Sequence, residues 1–96
     1  MELFIFARFH ARAGREGDVR RVIEIVLPQT RAEPGCLSAG LFRSVRDPRL
    51  FFIHSRWRDE AAFDAHAGLP HTVAFLDAVA PLIDHDLDVS RTEMIF

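Results

Sequence analysis

The chain contains no lysine, no tyrosine and no asparagine, so all 12 of its strongly basic side chains are arginine. Without lysine there is no side-chain amine for Schiff-base chemistry, and no pocket can draw on a Tyr phenol or an Asn carboxamide. The three missing residue types share AT-rich codons, which a GC-rich bacterial genome explains at once. A single cysteine, Cys36, excludes an intramolecular disulfide and a thiolate metal cage. It is expected to be a small buried residue at the start of a strand, since no neighbour in sequence would activate its thiol. No apolar run approaches the ~20 residues that span a bilayer. The opening Met1-Glu2-Leu3-Phe4-Ile5-Phe6 lacks the basic flank and cleavage site of a secretory signal. A cytoplasmic location is the expectation. A formal charge of −2 offers no general attraction to nucleic acid or to an anionic membrane.

What is present is core material. Hydrophobic residues make up 49% of 96 residues and nine are phenylalanine, which argues against disorder. The length suits one domain over residues 1–96.

Glu2 to about Ala11 is predicted as a first strand. Its centre, Leu3-Phe4-Ile5-Phe6, is continuously apolar, a pattern of strands covered on both faces. After Ala13-Gly14-Arg15, the spacing of Val19, Val22, Ile23, Val26, Leu27 and Thr30 predicts a helix from Glu16 to Ala32. Pro28 should disturb its last turns, and Glu33-Pro34-Gly35 should end it. Cys36 to about Val45 and Leu50 to Arg58 read as an antiparallel hairpin turning at Asp47-Pro48. Asp59 is placed to cap a short helix, Glu60 to Ala67. Gly68-Leu69-Pro70 breaks it, Pro70 suits the first turn of the next helix, and that helix is amphipathic from Thr72 to about Ile83. Alternation over Asp86 to Phe96 predicts a last strand.

The order β-α-β-β-α-β, with the second helix broken in two, specifies an α+β ferredoxin-like fold: a four-stranded antiparallel sheet with the helices on one face. The first and third strands are apolar on both faces, so a Phe-rich face is left bare. A second copy packing sheet to sheet would cover it. Arg8, His10 and His54 would lie on that side, and Arg8 and His10 would need carboxylate partners, for which Asp or Glu across the dimer interface would serve.

Thr30-Arg31-Ala32-Glu33-Pro34-Gly35-Cys36-Leu37-Ser38 resembles the helix-to-strand junction of the antibiotic-biosynthesis monooxygenase family. Arg56-Trp57-Arg58-Asp59-Glu60-Ala61-Ala62-Phe63-Asp64-Ala65-His66, followed by Pro70-His71, is similar to a second stretch of that family. The resemblance runs through nearly the whole chain and implies a homodimeric α/β barrel built from two ferredoxin-like subunits. It also implies cofactor-independent oxygenation of a small aromatic substrate, such as a quinol, phenol or anthrone, with no cofactor and no metal. Two positions depart from the pattern: Ser55 stands where many members carry Glu, and Ala39-Gly40 where an aromatic is common.

Such chemistry needs a base, a dry cavity and a few orienting hydrogen bonds. His66, at the end of the short helix where the family motif also has a histidine, is the first candidate base; His71, opening the next helix, is the second. Trp57, Phe63, Phe75 and Ser55 are the candidate pocket residues, and His85 is expected at an exposed turn. A shared metal site is disfavoured because His66 and His71 are five apart across a helix break, not i, i+4 on one face. Haem degradation is disfavoured by the missing Asn. RNA binding is disfavoured because the third strand lacks the basic-Gly-aromatic motif. The alternative reading is a non-catalytic, small-molecule-binding or isomerase-like dimer on the same scaffold.

Overall fold

The computed structural model describes residues 1–96, and its first strand shows how one sequence serves two environments. In β1 (Leu3–His10), Ile5, Ala7 and Phe9 are buried, whereas Phe4, Phe6, Arg8 and His10 turn to the other face. Gly14 takes φ 79°, the left-handed conformation that turns the chain from β1 into the first helix.

Helix α1 (Glu16–Arg31) buries Val19, Ile23, Val26, Leu27 and Thr30, the stripe its 3.6-residue spacing predicts. Each aliphatic side chain fully buried there contributes about 1.5–3 kcal/mol. Pro28 has no N–H to give, but the helix continues to Arg31 and the Ala32 N–H bonds the Pro28 carbonyl. Arg31 Nε donates to the Ala39 carbonyl at 2.8 Å, tying the helix end to the next strand.

Strands β2 (Cys36–Arg43) and β3 (Leu50–Trp57) form the hairpin, with an irregularity between Cys36 and Ser38. β2 stops two residues short of the predicted Val45. Ser44 Oγ accepts the N–H groups of Arg46 and Asp47, a local turn that competes with the ladder. Asp59 caps α2 (Glu60–Ala67) by accepting the Ala62 N–H at 2.9 Å. Pro70 opens α3 (Pro70–Val79) at a position where its missing N–H costs nothing. Pro81 cannot continue the helix, so residues Ala80–Leu82 form a 3₁₀ turn and Ile83 leaves to bridge Ala11, earlier than predicted.

Strand β4 (Asp88–Thr92) is shorter than the predicted Asp86–Phe96. It pairs only with β1, and Thr92 is already opposite Phe4. β1 has almost no residues left to pair with Glu93–Phe96, so the alternation there has no ladder to join.

The sheet order is β2-β3-β1-β4, all neighbours antiparallel, in an α+β ferredoxin-like fold. The core fills the space between one sheet face and α1 and α3, around Phe9, Ile23, Phe51 and Val79. The other face is bare: Phe6 is 50% exposed, Phe42 55% and Phe52 36%. No helix is long and apolar enough to cross a membrane.

His10 finds its carboxylates inside its own chain rather than across an interface. Asp84 is 2.7 Å from Nδ1 and Asp47 is 2.9 Å from Nε2. His85 is half-buried, not exposed, because its Nε2 accepts the His10 N–H at 2.8 Å.

Candidate active site

A cavity of about 300 Å³ lies between the sheet and the helices. Its floor is Ile5, Ala7, Ile53, Ser55 and Trp57; Phe63, His66, Phe75 and Leu76 close the helix side, and Val89 and Arg91 come from β4. Five of the six sequence candidates, Trp57, Phe63, Phe75, Ser55 and His66, therefore line one space, while His71 stands behind it.

The floor is held by a buried polar pair. Trp57 Nε1 donates to Ser55 Oγ at 3.0 Å, satisfying both groups away from water. The indole then meets Phe63 edge-on at a centroid distance of 5.5 Å and His66 at 4.6 Å. His66 is thus fixed between Trp57 and Phe63, whose centroid is 5.3 Å away.

The break at Gly68-Leu69-Pro70 places the last turn of α2 and the first turn of α3 against the α1–β2 junction. Glu33, from that junction, has a side chain only 8% exposed. Its Oε2 accepts from His66 Nδ1 at 2.8 Å and from His71 Nε2 at 2.7 Å. Thr72 Oγ1 stands 3.3 Å from the same His66 nitrogen. An ionised carboxylate only accepts, so His66 Nδ1 must carry the proton. In the neutral ring Nε2 is then the lone-pair nitrogen, and it has no hydrogen-bond partner in the chain.

Arg91 guards the β4 side. Its guanidinium lies over the Phe63 ring at 4.8 Å and bonds Asp64 at 2.6 Å and Glu60 at 3.1 Å. The Asp64 hydrogen bond, seconded by Glu60, raises the arginine pKa further above its already high value. Cys36 takes no part: burial first, and then the charge of Glu33, push its thiol up and keep it protonated.

Glu33 and Arg91 escaped the sequence reading. Glu33 looked like one residue of a helix-ending turn, and its histidines are more than thirty residues away along the chain. Arg91 did carry a signal, since it alternates in step with Leu87 and Val89, which also face the cavity.

Residues 3–78 match the family model for antibiotic biosynthesis monooxygenase. The chain belongs to the antibiotic biosynthesis monooxygenase family. Two curated relatives, each named provisionally as a monooxygenase, agree. Rv0793 of Mycobacterium tuberculosis is 30% identical over 86 residues, covering 90% of this chain and 84% of its own. YcnE of Bacillus subtilis is 33% identical over 69 residues, covering 72% and 73%. The solved structure of Rv0793 superposes with a TM-score of 0.94 at 26% identity, over 100% of this chain and 97% of that one. A crystal structure described as an antibiotic biosynthesis monooxygenase gives a TM-score of 0.90 at 25% identity, covering 97% of this chain and 98% of its own.

Proposed function

We propose that this protein is a cofactor-independent monooxygenase that oxidises a small, ionisable aromatic substrate of quinol, phenol or anthrone type with dioxygen. The observation that carries this reading is His66: an imidazole in the wall of an apolar cavity, its Nδ1 held by a buried carboxylate and its Nε2 free to accept a proton.

The residues supply what such a reaction needs. His66 Nε2 takes the proton of the substrate hydroxyl, with Glu33 fixing the ring's tautomer and orientation. The aromatic anion passes one electron to dioxygen, and the radical pair recombines at a ring carbon. Loss of water completes the balance: the substrate gives up two hydrogens, the hydroxyl proton and one from the attacked ring carbon, one oxygen atom stays on that carbon and the other leaves with the two hydrogens as water. The substrate supplies all four electrons, so the protein's task is to bind, deprotonate and exclude bulk water. Trp57, Phe63 and Phe75 provide flat apolar surface for a ring.

The working unit in this proposal is a homodimer packed sheet to sheet. Its support is the bare face on which Phe6, Phe42 and Phe52 lie exposed beside Phe4. Light scattering at micromolar concentration should give twice the chain mass; a stable monomer overturns this part.

The activity is tested by oxygen uptake with a panel of hydroquinones and anthrones, without added metal or flavin. Protein-dependent uptake is expected, and His66→Ala should lower it by about 10²–10⁴-fold. If no substrate supports uptake the oxygenase reading fails; uptake that survives His66→Ala moves the base elsewhere.

A further inference from the structure

Glu33, His66 and His71 come from three separate elements, and the spacing of the two histidines gives no hint that they meet. The turn at Gly68-Leu69-Pro70 makes them converge: one ligating atom from each lies within 4.8 Å of the other two. The side chains are only 8%, 14% and 20% exposed, respectively. Two imidazole nitrogens and one carboxylate oxygen are the donor set that zinc-class ions take, whereas magnesium and calcium favour oxygen alone. The cluster at His10 does not compete. Its two carboxylates sit on opposite ring nitrogens, so they cannot face one ion together with the same imidazole.

We infer that Glu33, His66 and His71 form a binding site for a divalent transition-metal ion of the zinc class, and that filling this site switches off the base. Ligands about 2.0–2.1 Å from such an ion stand roughly 3.3 Å apart in tetrahedral geometry. The present 2.7 and 2.8 Å contacts open by about half an ångström and the two imidazole nitrogens, within 4.8 Å of each other, close to a similar spacing, with water completing the coordination. Neither ring needs to lose its proton. His66 moves its proton from Nδ1 to Nε2 and His71 moves its own from Nε2 to Nδ1, so that each presents a lone pair to the ion. His66 Nε2 then carries a hydrogen and no longer accepts one from a substrate. This second effect rests on the function proposed above; the binding does not.

The experiment uses the full, untagged chain after treatment with a chelator. Titration with Zn²⁺ by calorimetry should give one ion per chain, and Co²⁺ should develop visible ligand-field bands. Glu33→Gln and His71→Ala, each checked for a native circular dichroism spectrum, should weaken binding at least ~10-fold, the loss seen when even the outer partners of a metal site are disturbed. His10→Ala should bind as the parent does. Absence of saturable binding, or binding unchanged in both Glu33→Gln and His71→Ala, overturns the site. Zn²⁺ should also suppress oxygen uptake in step with occupancy, with chelator restoring it. Binding without suppression overturns the switching. If no substrate supports uptake at all, the oxygenase reading fails while the titrations still decide the metal site.

Discussion

Gly35 lies directly against Ala62: a β-carbon built on the glycine would overlap the Ala62 β-carbon, with backbone just behind it. The glycine is there because α2 crosses the α1–β2 junction too closely for any side chain, and its carbonyl also receives the Arg58 N–H at 2.9 Å. Gly35→Ala should therefore push α2 outward and cost about 1–3 kcal/mol of stability by overpacking. Because α2 carries His66, oxygen uptake should fall as well. Urea denaturation and uptake on the same sample check both, and a variant as stable as the parent would show that α2 yields without strain.

Glu33→Gln separates orientation from simple packing. The amide keeps the shape but can offer its NH₂ where both histidines now donate, so the His66 tautomer is no longer fixed. We expect kcat to fall by roughly 10²-fold or more with a small change in KM, since the lost interaction acts on proton transfer rather than on the aromatic walls. A matched loss in KM alone would assign Glu33 to binding.

The His10 cluster predicts a specific pH dependence of stability. Hydrogen bonds that the ring donates first to Asp84 and then to Asp47 raise the His10 pKa above the ordinary 6.5. Its contribution is complete below 6.5 and is lost as pH rises through the raised folded value. Asp47, held down first by the Arg49 N–H and then by His10, and Asp84, held down by His10, both sit below the ordinary 3.8. Their contribution is present above 3.8 and is lost as pH falls through the lowered values. The stability gap between the parent and His10→Gln should thus be widest from about pH 4 to pH 6.5 and shrink on either side. Denaturation midpoints across that range test it; a pH-independent gap would reduce the cluster to packing.

Phe6 is the residue to change on the bare face. It stacks on His54 at 4.5 Å and is half exposed. Phe6→Arg should convert the proposed dimer to monomer, with a loss of at least ~2 kcal/mol in association, as for a central aromatic anchor. Sedimentation at several concentrations reads the change, and an unaltered dimer would place the interface elsewhere.

Much of this fold was legible because its signals are local. The α1 stripe, the Asp59 cap and the Pro70 start each depend on residues within a few positions of one another. The short β4 was not, because strand length depends on what the partner has left to pair, and β1 begins only at Leu3, one residue before the Phe4 that faces Thr92. The same distinction holds at the site. Trp57, Ser55 and Phe63 stand near one another in sequence and in space, so their shared cavity could be anticipated. The meeting of Glu33 with two histidines depends on how a helix break is aimed, which no periodicity encodes. His10 misled for a related reason: its partners, Asp47 and Asp84, lie on two loops that the topology brings to one end of β1.

The bond from Arg31 to Ala39 bears on how copies of this chain avoid one another. β2 is an outermost strand, and unpaired edges invite further strands to add on. Here a guanidinium at the end of α1 already occupies one of its carbonyls. An intruding strand would have to displace that arginine before it could zip along β2. The chain thus sets an apolar sheet face beside an edge guarded at β2, a combination that in the proposed dimer favours closed face-to-face pairing over strand addition along that edge.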